Sequence, residues 1–413
     1  MHRALYTLKV FSVKFHMQKI ILYIDITQFE QTRAHTGIQR TLKEFLKGAL
    51  EQNEIKIKIL LWKNSKQHAM LLDNDEVKLF LANTKNYIFQ KVLPYDIFDC
   101  NTTNKNIFFD IDSAWNMPVK REKLYQKLKE KNFLIFNFIY DITPILFPQY
   151  AYEETKKNFF PYLSAVFRYS DYIFCDSTSA KEDFLQLKQK EGFQRAVPVQ
   201  VVALGSDFCK EALCSTPKKY QTLLQSKYIL FVGTIEPRKN HEDILDVFTS
   251  LAQTHKDLFL VFIGKNGWKV DDLVKKIEQH PLKDKRLFWL QNIDDTTLRH
   301  FYRHAFLVTY LSKYEGYGLP IVESLSYSNI TIVSKNSSMQ EVGSEFTDYV
   351  KTKEELYAVI VMYCENKLYY KKRKDFIRKN FKPVSWKSFY SSLHKTFLTY
   401  NYTLLDKIRF INR

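Results

Sequence analysis

The chain has 413 residues, 45% of them hydrophobic, and a formal net charge of +17. That length exceeds what one ordinary hydrophobic core organises, so two domains are expected, and the composition excludes a disordered or fibrous chain. The charge calls for an anionic partner surface, whether nucleic acid, acidic lipid or a phosphorylated substrate, and does not by itself choose among them.

No apolar run approaches the ~18 residues of a membrane span. The most apolar stretch, Phe133 to Tyr140, is interrupted by Asn137. Cys100, Cys175, Cys209, Cys214 and Cys364 lack the close pairing of a zinc site or disulfide framework, which reads as reduced thiols in a cytoplasmic protein. The first sixteen residues carry Arg3, Lys9 and Lys14 but no continuous apolar core or small-residue cleavage site, so they make a poor signal peptide, and Met17 serves equally as a start.

In chain order, Lys19 to Ile26 is a nearly continuous apolar strand of the kind buried on both faces of a parallel sheet. A loop, Thr27 to Thr36, leads to Gly37-Ile-Gln-Arg40 and an amphipathic helix through Leu50. A glycine there lets backbone N–H groups approach an anion, although a simple helix start explains it equally. Strands recur at Ile55 to Trp62, Asn106 to Ile111 and Phe133 to Tyr140, with a helical stretch at Pro118 to Lys131. Such alternation implies a parallel sheet with right-handed crossovers. The third of these strands ends at Asp141, which either orients an acceptor hydroxyl or caps the Thr143-Pro144 turn. Phe159 to Ser170 reads as a helix and Tyr172 to Ser177 as a strand, with Ser177 and Ser179 as helix caps. Val199 to Leu204 is the last strand of this half, and polar residues Lys210 to Lys227 mark a linker.

The pattern then restarts. A strand from Lys227 to Gly233 meets a loop holding Arg238 and Lys239 before a helix from Glu242 to Thr254, a place where both cations reach a diphosphate or simply solvate a loop. Further strands are expected at Leu258 to Gly264, Arg286 to Leu290 and Ala305 to Leu311. After the last, Lys313 to Gly318 is a tight loop and Pro320 opens a helix, so Glu315 sits on the loop and Glu323 in the first helical turn. Two glutamates with seven residues between them at the carboxyl end of a parallel strand face the crevice where open α/β sheets bind ligands; the plainer alternative is that both favour the helix dipole. Ile330 to Val333 and a polar loop with Ser337, Ser338 and Glu341 complete this unit. Lys353 to Glu365 is helical, Lys371-Lys-Arg-Lys begins a basic run, and Trp386 to Tyr400 is a last amphipathic helix.

Glu315-Gly-Tyr-Gly-Leu-Pro-Ile-Val-Glu323 resembles the E-x7-E signature of the retaining GT-B glycosyltransferases of family 4. Thr36-Gly-Ile-Gln-Arg40 resembles the T-G-I-Q-R found after the first strand in a bacterial polysaccharide and O-antigen mannosyltransferase-like branch. The resemblance covers most of the chain from Met17 to Tyr400. It implies two Rossmann-like parallel-sheet domains facing a cleft: residues 17–209 on the acceptor side after a 1–16 extension, residues 218–382 on the nucleotide-sugar side, and residues 383–413 crossing back, with Lys382-Pro383 making the kink. By the same resemblance Glu315 contacts the donor sugar near the reacting centre and Glu323 the ribose, while Gly37, Gly233, Gly316, Tyr317, Gly318 and Leu319 line the donor site. Asn292 and Ile293 pass along the nucleobase. Lys239 stands where the family has a lysine, six residues after Gly233. Thr234 replaces the arginine often found directly after that glycine, so Arg238 supplies the second charge. Asp141 is the acceptor-side carboxylate, and Tyr140 replaces the histidine of the family's His-Asp pair.

No His/Cys cluster has metal-ligand spacing, in line with the metal-independent class. The expected activity is retaining transfer of a hexose from a nucleotide-diphosphate sugar, GDP-mannose favoured, to a lipid-linked or lipopolysaccharide-type glycan, with neither metal nor other cofactor. A catalytically silent GT-B scaffold in a glycan-assembly complex is the alternative, because Tyr140 and Thr234 depart from the pattern. A nucleic-acid partner is set aside, since no motif interleaves basic residues with stacking aromatics. The charge instead points to peripheral contact with the anionic inner face of the cytoplasmic membrane, through the basic extension and through Phe159, Phe167 and Arg168.

Overall fold

Runs rich in β-branched and aromatic residues are costly to leave in water, and here they form strands covered on both faces. The computed structural model describes residues 18–33, 36–62, 68–84, 86–207 and 218–400. In the first half the strands are β1 (Ile20–Asp25), β2 (Lys56–Leu61), β3 (Ala69–Leu72), β4 (Val92–Tyr95), β5 (Lys105–Asp110), β6 (Leu134–Ile139), β7 (Tyr172–Cys175) and β8 (Val199–Val201). They lie in the order β4-β3-β2-β1-β5-β6-β7-β8. This sheet is not wholly parallel, because β3 runs antiparallel to both β2 and β4. Four-residue strands offer too few positions for a period to show in sequence, and Pro94 is tolerated because β4 is a sheet edge.

The second half contains β9 (Lys227–Val232), β10 (Leu258–Ile263), β11 (Leu287–Leu290), β12 (Leu307–Tyr310), β13 (Thr331–Ser334) and β14 (Thr347–Val350). Their order is β11-β10-β9-β12-β13-β14, with every pairing parallel. Each half is therefore a wound sheet whose strand ends carry the functional loops.

Several local expectations change. Thr27–Thr32 is a short helix rather than loop, because Asp25 Oδ1 accepts from Thr27 N at 3.0 Å and satisfies a helix-start donor. The helix expected from Phe159 begins at Glu153, where Glu153 and Glu154 suit the positive helix end. It buries Phe159 and Phe167, 2% and 1% exposed, so neither is available to a membrane. Lys218–Gln225 is helical turn inside the expected linker. The 1–16 extension with Arg3, Lys9 and Lys14, together with Met17, Cys209, Cys214, linker residues 210–217 and residues 401–413, lies outside the described residues.

The Trp386–Thr399 helix packs on the first half. Phe389, Leu393 and Phe397 are buried in its core, with the Phe397 ring 5.2 Å from that of Phe109 and 5.7 Å from that of Phe136. Tyr317, Leu319 and Val322 of the second half join the same core, so apolar contact runs unbroken across the seam.

Beneath the mouth of the first sheet, Arg121 is held by Asp25 at 2.8 Å and Asp110 at 2.6 Å, and Tyr125 donates to Asp110 at 2.6 Å. All three charges are buried. Removing one partner leaves uncompensated buried charge, which costs about 3–5 kcal/mol. Arg121→Met should lower unfolding free energy by that amount in urea denaturation followed by circular dichroism; a loss below about 1 kcal/mol, typical of exposed pairs, would show that the cluster does not anchor β1 to β5.

Candidate functional site

The strand, loop and helix at residues 307–326 present the second half to the first. β12 is buried throughout, and the chain leaves it toward Gly318. Gly318 caps the next helix at φ 100°, a left-handed conformation free of penalty only without a Cβ. The helix runs Leu319–Ser326, with Pro320 in its first turn, where a missing N–H costs nothing. Because the helix starts at Leu319, one residue before Pro320, Glu323 lies beyond the first turn rather than within it.

Glu315 is 7% exposed. Its Oε1 accepts from Lys239 Nζ at 2.7 Å and pairs with Arg238 Nη1 at 2.8 Å. The Pro237–Lys239 turn after β9 carries both cations. Arg238 also donates to Tyr314 O and to Glu236 Oε1, each at 2.6 Å, and Lys239 donates to the Tyr310 hydroxyl. Lys313 N donates to Arg238 O at 2.8 Å, tying the two loops together. Burial alone pushes the Glu315 carboxyl up, but Arg238 and then Lys239 outweigh it and hold it at about 2. The same burial pushes the Lys239 ammonium down, opposed by the Glu315 charge. Glu315 N donates to Ser337 Oγ at 3.0 Å, and Ser338 Oγ donates to Glu315 O at 2.9 Å and Tyr317 O at 3.0 Å. These serines stand on a helix, Ser337–Gly343, where a polar loop was expected; its buried Met339 and half-buried Val342 are too few apolar positions to show a period.

Gly316 is pressed against the first half. A Cβ there would lie 2.1 Å from Tyr140 O and 3.0 Å from Asp141 Cβ, so a larger residue forces the halves apart. Ser177 Oγ donates to Gly316 O at 2.5 Å while capping the Thr178–Lys190 helix. Glu341 accepts from Thr178 N at 2.9 Å, another bond across the seam. Asp141 Oδ1 accepts from Thr143 N at 2.8 Å, the turn-capping alternative, and the residue also borders a cavity of about 90 Å³ lined by Ile38, Trp115, Tyr140, Phe159 and Tyr162. The Tyr140 phenol donates to Ile111 O at 2.8 Å and burial pushes its pKa well up, so it braces backbone rather than moving a proton. Asp176, which nothing in the sequence marks, is 3% exposed, and its Oδ1 has no hydrogen-bond partner among the described residues. Burial, and then the Asp141 charge, push its carboxyl well up.

Glu323 is 3% exposed. Its Oε2 accepts from the Tyr302 hydroxyl at 3.0 Å, and its Oε1 pairs with Arg40 of the first half. Gly37 begins the helix bearing Arg40, and a Cβ on it would meet Leu319 Cδ1 at 3.4 Å. Gly233 closes β9 by donating to Ile263 O at 2.9 Å. The side chains of Tyr317 and Leu319 are committed to the first-half core, so what these residues offer a ligand is backbone. Asn292 is exposed at φ 56°, and Ile293 packs on a satellite core; neither joins the Glu315 cluster. Asp110-Ile-Asp112 has the acid-x-acid spacing of a metal-held donor site, but its carboxylates are spent internally. Asp110 holds Arg121 and Tyr125, while Asp112 accepts from Phe29 N at 2.8 Å and Ser113 N at 2.7 Å, and burial pushes it up to about 6.

Residues 215–382 match the family model described as Glycosyl transferases group 1. That match lies within the second half and takes in Arg238, Lys239, Glu315 and Glu323. Serotype-specific mannosyltransferase WbdA of Escherichia coli is 33% identical over 221 residues, covering 51% of this chain and 27% of that protein. O-antigen chain mannosyltransferase B of Escherichia coli is 33% identical over 126 residues, 30% of this chain and 32% of that one. The chain thus spans about a third or less of the length of these curated relatives. Among solved structures, HepE of Anabaena in complex with UDP and glucose aligns with a TM-score of 0.62 at 15% identity, covering 93% of this chain and 100% of that one. Trehalose-6-phosphate synthase OtsA aligns at 0.59 and 12% identity, covering 93% and 100%. At such identity these two show the fold, which is GT-B.

Holding Glu315 at about 2 against an ordinary 4.5 means its ionised form is favoured in the folded state. That contribution is present above pH 4.5 and is lost as pH falls through about 2, a difference of about 3 kcal/mol. Urea midpoints measured between pH 5 and 2 should therefore fall less steeply in Glu315→Gln than in the parent. Parallel slopes would mean that Arg238 and Lys239 do not hold the carboxylate in solution.

Proposed function

We propose that the protein is a retaining glycosyltransferase that moves a hexose, mannose favoured, from a nucleotide-diphosphate sugar to a lipid-linked or lipopolysaccharide-type glycan. One observation carries this: a buried, ionised Glu315 is held between Arg238 and Lys239 on one side of the seam, with Asp141 and its cavity on the other. Group transfer from such a donor needs the leaving diphosphate neutralised, the sugar ring held and an acceptor hydroxyl placed. Arg238, Lys239 and the positive end of the Leu319–Ser326 helix meet the first need, each charged hydrogen bond contributing on the order of 1.5 to 3 kcal/mol. Water-excluding closure strengthens them. Glu315 accepts from the sugar hydroxyls and, staying anionic, stabilises positive charge developing at the ring. Glu323 receives the ribose. Asp141 orients the acceptor hydroxyl at the rim of an aromatic cavity suited to a glycan ring. Same-face attack guided by the leaving phosphate retains configuration. The mannosyltransferase names of the partial-length relatives support the choice of sugar.

A silent scaffold has no need of a buried carboxylate between two cations, a costly arrangement to keep without a ligand to receive. A thermal-shift panel decides between them. GDP-mannose should raise Tm more than UDP-, ADP- or dTDP-sugars, since a ligand at one hundred times its Kd adds about 2.7 kcal/mol of apparent stability. No shift with any nucleotide sugar would favour the scaffold.

No helix among the described residues is long and apolar enough to cross a membrane. A lipid-linked acceptor then calls for peripheral contact at the cytoplasmic face, and with Phe159 and Phe167 buried the better surface is the Lys367–Asn380 helix. It carries seven basic residues against one aspartate, and Leu368 stands 65% exposed beside Lys371 and Lys372. Each such cation near an anionic leaflet gains about 1 kcal/mol. The parent should sediment with phosphatidylglycerol vesicles at low salt, and Lys371→Glu/Lys372→Glu should bind at least about tenfold more weakly; equal binding would remove this helix from the contact.

A further inference from the structure

Glu323 is the more deeply buried of the two glutamates, and the cation that accompanies it comes from the opposite half of the molecule. We propose that Arg40 is a donor-positioning residue, fixing Glu323 from across the interdomain seam so that its remaining acceptor sites face the nucleoside end of the donor. This matters to catalysis only if Glu323 receives the ribose, as proposed above.

A carboxylate offers about four lone-pair sites. Arg40 takes one on Oε1 and the Tyr302 hydroxyl one on Oε2, which leaves one on each oxygen, the set a pair of neighbouring hydroxyls requires. Arg40 therefore need not leave for a ribose to bind. Its second nitrogen, Nη2, lies 3.3 Å from Asp295 Oδ1 at the start of the Asp295–His304 helix, so one planar guanidinium braces two elements of the second half. That two-pronged geometry is specific to arginine, since a lysine ammonium is a point charge. The register follows from the helix starts. Gly37 packs near Leu319, placing the two helices end to end, and Arg40 and Glu323 each lie about one turn in from their starts. With the halves separated, Glu323 would keep Tyr302 but lose its counter-charge, so closing the seam completes this side of the donor site. The side chain of Arg40 remains 23% exposed, a path by which the nucleoside end can reach the pair.

The test uses the full chain with Arg40→Met, Arg40→Lys, Lys239→Ala and Glu323→Gln, measuring nucleotide-diphosphate Kd by calorimetry together with donor KM and kcat. Arg40→Met should raise Kd and donor KM by about tenfold or more while kcat falls by less than about threefold, and Arg40→Lys should recover part of the loss. In the Glu323→Gln background, Arg40→Met should add less than about twofold, because the two act as a unit. A purely structural latch would lower Tm without this split between KM and kcat, and without rescue by lysine. Should Arg40→Met fail to fold, the partial defect expected of Arg40→Lys and its dependence on Glu323 carry the same decision. Weakened binding in Lys239→Ala with unchanged binding in Arg40→Met overturns the role of Arg40 alone. Unchanged binding in Arg40→Met, Lys239→Ala and Glu323→Gln together overturns the donor-site assignment beneath it as well.

Discussion

A carboxylate taken out of water must be paired, and most of the second half's functional face serves that requirement at Glu315. β9 ends where the following turn can deliver Arg238 and Lys239, β12 ends where the loop can deliver Glu315, and Lys313 N bonds the two loops to one another. Ser337 and Ser338 then fix the peptide on either side of the glutamate. With one oxygen holding both cations, Glu315 has its other oxygen left to accept from a ligand. The positive charges are likewise only partly spent, since each guanidinium or ammonium has further donors. The result is a site that stays ionised across the working pH range and needs little reorganisation when charge moves through it.

The same constraint explains why the halves touch where they do. Gly316 carries no side chain and lets the Glu315 loop rest on Tyr140 O, with Asp141 against Gly316, the residue next to Glu315. Tyr140, whose hydroxyl bonds Ile111 O, is a brace in this arrangement. A histidine there would trade that apolar, backbone-bound ring for a titratable one. Asp176, buried next to Asp141 with an oxygen unpartnered, favours its neutral form, which keeps a crowded group of acids from repelling one another across the seam.

Much of this was readable in the sequence where the cause is local. The strands flanking Arg238, Lys239, Glu315 and Glu323 are continuous apolar runs, and Gly-Leu-Pro marks a helix start whatever surrounds it, so their placement at one sheet mouth follows from neighbours in the chain. The Ser337–Gly343 helix and the β3–β4 pair were not readable, because each is short and held by tertiary packing rather than by its own period. Least readable were the long-range partners. Arg40 and Glu323 stand 283 residues apart, and nothing in the local pattern of Arg299-His300-Phe301-Tyr302 announces that Tyr302 points at the Glu323 carboxylate. Phe159 and Phe167 erred in the opposite direction: their basic neighbours suggested a surface, while their own spacing on a helix buries them.

The path of the terminal segment gives these contacts a mechanical setting. The chain crosses back at Val384, whose carbonyl accepts from Ser206 N at 2.8 Å, and Trp386 N donates to Asp207 Oδ1 at 3.0 Å. Ser326 Oγ, at the far end of the Glu323 helix, donates to Ser206 O at 2.8 Å. The return crossing is therefore bonded to the end of the first half. The rest of the seam mixes polar contacts, Ser177 on Gly316, Glu341 on Thr178, Arg40 on Glu323 and Trp268 Nε1 on Tyr150 O at 2.8 Å, with apolar ones, Tyr317, Leu319 and Val322 in the first-half core and the Phe147 and Tyr314 rings 5.1 Å apart. The polar contacts can break and re-form in water, whereas the apolar ones, like Phe389, Leu393 and Phe397 of the terminal helix, cannot part without exposing a core. The seam thus sets exchangeable polar contacts beside an apolar core that both halves share, so parting the halves costs buried apolar area as well as hydrogen bonds.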